Sequence, residues 1–463
     1  MRTRRFSAPP DKQRWWNADE GDVHKTVFRY VENIERQQFA LFNRFALLEA
    51  LYDPHCPNTP DAVGGDDAEA VSVMIENVIA SNVDTVTAQI ASTEVRPRFQ
   101  TDDGDWTVQK TATMLEWYAE GMGKILDVHK KCRLAFKESA KKGTGLLKIF
   151  VDAFDEVKVE HVRIDDLVVD ECECRNGGKP RQFHQRMTNV DREELKAQFP
   201  EFEDLIDTAQ TGRSWSGRAW AGYRPMADNS LVAIESWKMP IGRKGRKGYV
   251  PGRHTITIEN CDLVDEPWHK PFPPFACIVW SERTTSFYGI SLAERIAGIQ
   301  RALNKRNWQI DRNLDNFAVP VTYVDMPDAN LAVQTIDRMG TVCVVKGARP
   351  TTVTPVANSP QVYKNRIDMN NAAGEDAGVN PMSSRGVVPA GIDSGVGVRE
   401  ARMQSTTRFQ PQEKDFEQLE LDVFWHIVDR CKDLGAAAPE VTKKAKWGAR
   451  TMKWADVDMG EAN

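Results

Sequence analysis

Between Leu292 and Phe317 apolar side chains recur every seven residues, at Ile296, Leu303, Ile310 and Phe317, with Ile299 adding a second point one turn after the first. A strict seven-residue seam packs helix against helix rather than onto a broad sheet. About 27 residues at about 1.5 Å each predict a rod of about 40 Å, which Pro320 ends. Such a rod needs other helices alongside it, and that requirement constrains the whole chain.

The 463 residues allow two to four domains or one elaborated one. Lys and Arg total 61 against 67 Asp and Glu, a formal charge of −6. That balance excludes a uniformly basic nucleic-acid coat and leaves only local basic patches. The longest apolar run, Phe275–Trp280, is far short of the ~20 residues of a membrane helix. The first ten residues are basic without an apolar stretch behind them, so they read as a disordered arm rather than a secretory signal. Eight cysteines spread over the chain are too sparse for a disulfide scaffold. Cys172 and Cys174 form the one close pair; they lack the two-residue spacing and four convergent ligands of a zinc site and read as thiols flanking a turn.

Helical periodicity dominates the first 140 residues. Val27, Val31, Ile34, Leu41, Phe45, Leu48 and Tyr52 predict one long helix ended by Asp53-Pro54. Val71, Ile75, Ile79, Val83, Val86 and Ile90 predict a second, and a third stretch runs from Trp106 to Lys141. After Gly143-Thr-Gly145 the period shifts to two, with strands expected at 147–151, 157–159, 256–258 and 277–280. The block 185–230 reads as less regular, with one short helix from Asp191 to Phe199 and a loop around Trp215 and Trp220. Beyond the rod, strands are expected at 321–324, 341–345 and 350–356, with a small helical segment inside this compact insert, and a helix from Pro360 to Gly378. Asn380–Gly397 holds four glycines and two prolines in 18 residues, which no regular element accommodates. A last long helix then begins at Val398, with a seam of Met403, Phe409, Phe416, Leu419, Val423, Ile427 and Cys431; Pro411 should kink it and Gly435 cap it.

No motif performs chemistry convincingly. Lys142–Lys148 lacks the Gly-Lys-Ser/Thr ending of a phosphate loop and reads as a glycine turn between helix and strand. Asp165, Asp166 and Asp170 form an acidic cluster that supplies the rival reading, a metal-dependent nuclease, although two-metal sites draw carboxylates from several elements. Asp456–Glu461 imitates only the start of a calcium loop. Gly242–Gly248 is a dense basic hairpin that could touch phosphates or serve as a solvated tip.

The order of elements and four tracts resemble a tailed-bacteriophage portal protein of the short-tailed phages, over residues 20–435. Asn77–Ala88 with Arg96–Phe99 resembles the N-terminal helix and its exit, and Lys142–Asp170 the helix-to-sheet transition. Trp280 with Phe287–Asn304 resembles the entry to a first stem helix. Pro389–Glu400, leading to Arg408-Phe409, resembles the tunnel loop and the helix after it.

The resemblance implies an α+β portal fold. Its parts would be an arm (1–19), a wing (20–283), a stem helix (284–317), an α/β clip (318–358) and a second stem helix (359–380). A tunnel loop (381–397), a long kinked helix (398–434) and a crown or shortened C-terminus (435–463) would complete it. It implies a homo-oligomeric ring of about twelve copies at one capsid vertex, in which neighbouring copies supply the helices that the seam Ile296, Ile299, Leu303, Ile310 and Phe317 needs. Double-stranded DNA would pass through the channel without sequence-specific contacts. The terminase large subunit, a head-to-tail adaptor, and the major capsid and scaffolding proteins would be the other partners. The location is the virion, after assembly in the host cytoplasm, with no catalysis, cofactor, metal or membrane expected. Tunnel-loop residues facing the channel would be Ser383, Ser384, Arg385, Val387, Val388, Ile392, Asp393 and Ser394. Lys305, Arg306 and Arg312 are candidates for phosphate contact, with salt bridges to neighbouring helices as the competing role. Ring charge argues against a tight grip on DNA: twelve copies at −6 sum to about −70, beside a duplex carrying one negative charge per ~1.7 Å.

Overall fold

The computed structural model describes residues 14–53, 76–92, 94–100, 106–152, 154–177, 179–209, 229–242, 245–318, 321–324, 341–344, 351–353, 359–379, 407–445 and 448–457. It is an α+β protein. Helices α1 (Val23–Gln37), α2 (Phe39–Tyr52), α3 (Val78–Ile90), α4 (Trp106–Ile125) and α5 (Val128–Lys142) precede strands β1 (Thr144–Val151) and β2 (Val157–Val162). Two of the long helices expected from periodicity are each broken in two. Gln38 leaves helical geometry between α1 and α2, and Asp127, at φ 51°, turns the chain between α4 and α5. Both breaks keep the apolar stripe on one side, which is why periodicity alone reads straight through them. The second helix is described only from Val78; Val71 and Ile75 lie outside the described residues.

Two sheets build the body. One is antiparallel with order β2-β1-β8, where β8 is Phe275–Val279, and pairs Leu146 with Val162 on one side and Cys277 on the other. The second is a five-stranded antiparallel sheet of β3 (Leu167–Val168), β4 (Gln182–Asp191), β5 (Ser230–Lys238), β6 (Gly252–Thr257) and β7 (Asp262–Trp268), hydrogen-bonded in chain order. Most of β4 falls in the block that reads as irregular, and its existence is a correction. Its buried Gln182, His184, Gln185 and Arg186 look like loop composition, yet two of them are hydrogen-bonded inside: Gln182 Oε1 accepts from Trp15 Nε1 at 3.0 Å, and His184 Nδ1 lies 2.8 Å from Ser236 Oγ. Short helices α6 (Arg192–Gln198) and α7 (Glu203–Thr208) follow β4; Trp215 and Trp220 lie outside the described residues.

The 27-residue helix α8 (Leu292–Ala318) leaves the body after β8. A small sheet follows, in which β9 (Val321–Val324) pairs in parallel with β10 (Thr341–Val344) and antiparallel with β11 (Thr351–Val353). The helical segment expected between β9 and β10 is outside the described residues. Helix α9 (Pro360–Ala377) returns along α8, with Pro360 in its first turn and Gly378 at its end. Helix α10 (Gln410–Leu434) then packs on β8 and β1. Pro411 sits in the first turn of α10, where a proline removes an N–H that has no partner anyway. The expected start at Val398 and the seam position Met403 are outside the described residues.

Two terminal expectations change. Residues 14–19 are not part of a free arm: Trp15 is fully buried, against His184 at a ring separation of 5.3 Å. After α10 the described chain, expected as a crown or a shortened C-terminus, packs back on the main core. Strands β12 (Val441–Ala445) and β13 (Gly448–Met452) form a hairpin, and Val441, Met452, Trp454 and Val457 join the main core with Tyr118 and Ile427. Among the described residues no helix is long and apolar enough to cross a membrane.

Asn77 shows how the α3 start is held. Its Oδ1 accepts from Ala80 N at 2.9 Å, capping the helix, while its Nδ2 donates to Tyr52 O at 2.7 Å and ties α3 to the end of α2. Asn77→Ala is expected to lower stability by about 1–2 kcal/mol, read as a shift of the urea midpoint, and Asn77→Asp, which keeps the cap acceptor, should recover about half.

Candidate functional site: the long helix pair and its root

Helix α8 is anchored in the body by charge and by packing. Glu294 N donates to Ser291 Oγ at 2.8 Å, closing the first turn. The Glu294 carboxylate accepts two bonds from Arg283 Nη2, at 2.8 and 2.7 Å, and a third from Arg44 Nη1 on α2 at 2.9 Å. Ionised pairs of this kind are shorter and stronger than neutral hydrogen bonds. Leu292, Ala293 and Ile296 continue the main core.

Of the seven-residue seam, Ile296, Ile299, Leu303 and Ile310 are covered within the same chain, where neighbouring copies were expected to supply the partners. Leu303 is fully buried against Val78 at the start of α3 and Ala373 on α9, with Ile299 and Met369 packed around them; Ile310 is buried as well. The side chains of Phe317 and Arg312 lie outside the described residues. A heptad records that a stripe is covered by helices; it carries no record of whether those helices belong to the same molecule.

Beside the seam runs a buried polar row that the apolar pattern conceals: Gln300, Asn304 and Asn307. Gln300 Oε1 accepts from Val78 N at 2.8 Å and Ile79 N at 3.2 Å, supplying acceptors for two N–H groups of the α3 first turn. Its Nε2 donates to Glu76 O and to Asn304 Oδ1, both at 2.8 Å. Asn370 of α9 donates to the Glu76 carboxylate, so α3, α8 and α9 meet in one hydrogen-bonded knot. These residues were legible only as polar interruptions at i, i+4 and i+7 on one helix face.

The outward positions are of two kinds. Lys305 is exposed, and Arg306 Nη1 donates to Gln309 Oε1 on its own helix at 2.9 Å. Large apolar side chains also face outward: Leu314 on α8 is 51% exposed, and Tyr363 and Ile367, four apart on α9, are 39% and 58% exposed. The eight tunnel-loop candidates, Ser383, Ser384, Arg385, Val387, Val388, Ile392, Asp393 and Ser394, lie outside the described residues. The points flanking that tract are held together. Arg408 donates to Glu375 O at 3.2 Å and Asp376 O at 3.4 Å, and Val379 and Phe409 share the main core.

The acidic cluster of the nuclease reading is dispersed by the fold. Asp165, 3% exposed, lies 2.6 Å from Lys142 Nζ and 2.8 Å from Arg163 Nη2. Burial would raise its carboxyl, but Lys142 and then Arg163 outweigh burial and hold it at about 2. Asp166 faces Arg186 at 3.9 Å. Asp170 Oδ1 accepts from Cys172 N at 2.9 Å, and its Oδ2 accepts from Tyr30 OH at 3.4 Å. The three carboxylates thus serve three different neighbours. Among the described residues no group of three or more His, Cys, Asp or Glu side chains is placed to hold a metal ion. Cys172 is exposed and Cys174 buried, and both lie within the 3-10 helix Glu171–Gly177 rather than flanking a turn. No family model matches the chain, and no curated protein matches it either.

Proposed function

We propose that this chain is a portal-type subunit: a structural, non-catalytic protein that closes into a ring of about twelve copies around a channel for double-stranded DNA. The observation that carries the reading is the out-and-back excursion of α8 and α9, both rooted in the body core, with a small parallel-crossover sheet at the far end of the pair. Exposed Leu314, Tyr363 and Ile367 support it, because apolar side chains of this size on a projecting helix pair offer a neighbouring copy a surface to bury. In this reading the small sheet docks the terminase large subunit and the head-to-tail adaptor, the body contacts capsid and scaffolding proteins, and the assembly resides in the virion. The negative charge of each copy lets DNA move past rather than bind.

Negative-stain microscopy of the purified full-length chain tests the reading. Annular particles with a central hole are expected, and Ile367→Glu should shift them to single subunits while leaving the melting temperature of the subunit unchanged, since Ile367 is exposed. Single subunits alone, at every salt concentration tried, would sink it.

A further inference from the structure

His254, on β6, stands between two carboxylates. Its Nδ1 lies 2.7 Å from Glu266 Oε1 on β7, and its Nε2 lies 3.0 Å from Glu235 Oε1 on β5. An ionised carboxylate only accepts, so both ring nitrogens must carry a proton for both bonds to form. The imidazolium is the form that fits this geometry. Strand register assembles the group, because Trp237, His254 and Glu266 stand opposite one another across β5, β6 and β7. The Trp237 ring stacks on the imidazole, with centroids 5.4 Å apart and 14° between the planes, a placement that favours a cation.

The two carboxylates differ in their freedom to move. Glu235 is buried and its other oxygen accepts from Lys148 of β1, so it is fixed. Burial would raise its carboxyl, but Lys148 and then His254 outweigh burial and hold it at about 2. Glu266 stands on the edge strand of the five-stranded sheet, with its side chain 56% exposed. The next residue, Pro267, has no N–H to give to β6, so side-chain ties matter more at this point of the edge. Two further charges lie close by. Arg430 of α10 sits over the Trp268 ring at 5.5 Å, and Arg253 pairs with Asp265 at 2.6 Å; neither guanidinium titrates in the working range. At the start of β7, His24 of α1 lies 3.3 Å from Asp262.

We propose that His254 is a proton-operated clamp on the β7 edge of the sheet. Protonated, it ties Glu266 to the fixed Glu235. Deprotonated, it turns a lone pair toward a carboxylate, and Glu266, the partner free to move, swings into water and loosens β7. Burial lowers the proton affinity of His254, but Glu235 and Glu266 outweigh burial and raise the imidazole above its ordinary 6.5. A raised imidazole stabilises the fold fully below about pH 6.5, and that stabilisation is lost as pH rises through the folded value.

Hydrogen–deuterium exchange read by peptide mass spectrometry on the full-length chain tests the clamp. At pH 6 the peptide covering 262–268 should exchange about tenfold faster in His254→Gln and in Glu266→Gln than in the unmutated chain, the worth of about one pH unit of proton affinity. At pH 9 the three proteins should converge, while the β1 peptide 144–151 exchanges alike in all of them. Each comparison is made at one pH, so the His24–Asp262 contact cancels. Should His254→Gln fold poorly, Glu266→Gln carries the test, since its side chain is half exposed. Unchanged exchange at pH 6, or an acceleration equal at pH 6 and pH 9, overturns the proposal. The clamp lies within one chain, so single subunits that show the pH-dependent difference would remove the portal reading and leave the clamp standing.

Discussion

Lys142→Met should destabilise the protein by about 3–5 kcal/mol, the cost of removing one partner from a buried ion pair. Lys142 is almost wholly enclosed at the end of α5, with Asp165 at 2.6 Å and Glu49 at 3.1 Å. Burial works against its charge, but Asp165, Glu49 and Glu138 outweigh it and raise the ammonium above its usual range. Methionine fills a similar volume and removes the Lys142 charge from Asp165, while Arg163 stays beside it. The effect carries a pH signature. In the native protein Asp165 is depressed to about 2, so its stabilisation is present above the unfolded value near 3.9 and is lost as pH falls through about 2. In Lys142→Met burial dominates and the carboxyl protonates at higher pH, so the difference between native and variant should narrow from pH 7 to pH 4. Urea midpoints at the two pH values read this directly. A loss below about 1 kcal/mol at pH 7 would mean that Arg163 alone suffices for Asp165. Asp165→Asn added to Lys142→Met should restore part of the stability, because it removes the stranded charge.

Gly145→Ala is expected to cost at least about 3 kcal/mol, the upper end for forcing extra volume into a packed interior. The second residue of β1 passes directly over α5, and a Cβ placed there would lie 1.8 Å from the Ala135 carbonyl oxygen. Backbone cannot swing aside as a side chain does, so strand and helix must separate. The neighbouring Gly143 is held at φ 99° and faces the backbone of Gly289, so the turn has no slack to absorb the shift. Gly298→Ala is the matched control. It lies on the exposed side of α8 with open space around its Cα, and alanine there should add about 0.5–1 kcal/mol through helix propensity. Thermal melts of the two variants should move in opposite directions.

Much of the helical framework was legible because its signals are local. The α8 length, the Pro360 start and Gly378 end of α9, and the Gly435 end of α10 follow from period, proline and glycine alone. The breaks at Gln38 and Asp127 were hidden because the apolar stripe continues across them. Strand β4 was hidden for the opposite reason: a strand buried with Gln182, His184 and Arg186 has no alternation to read. Of the candidate site residues, Lys305 and Arg306 lie on the long helix α8, whereas Asp165, Asp166 and Asp170 have different partners.

From sequence alone came the α+β class, the long rod of α8 and the near neighbours of each turn, since these depend on residues a few positions apart. Tertiary structure alone decided what covers the seam, which lysine holds Asp165, and that His254 stands between Glu235 and Glu266. Periodicity tells which face of an element is withdrawn from water, because burial repeats with the backbone's own geometry. The identity of the surface that meets it, and the pairing of buried charges, depend on distances between residues far apart in the chain, which exist only once the chain has folded.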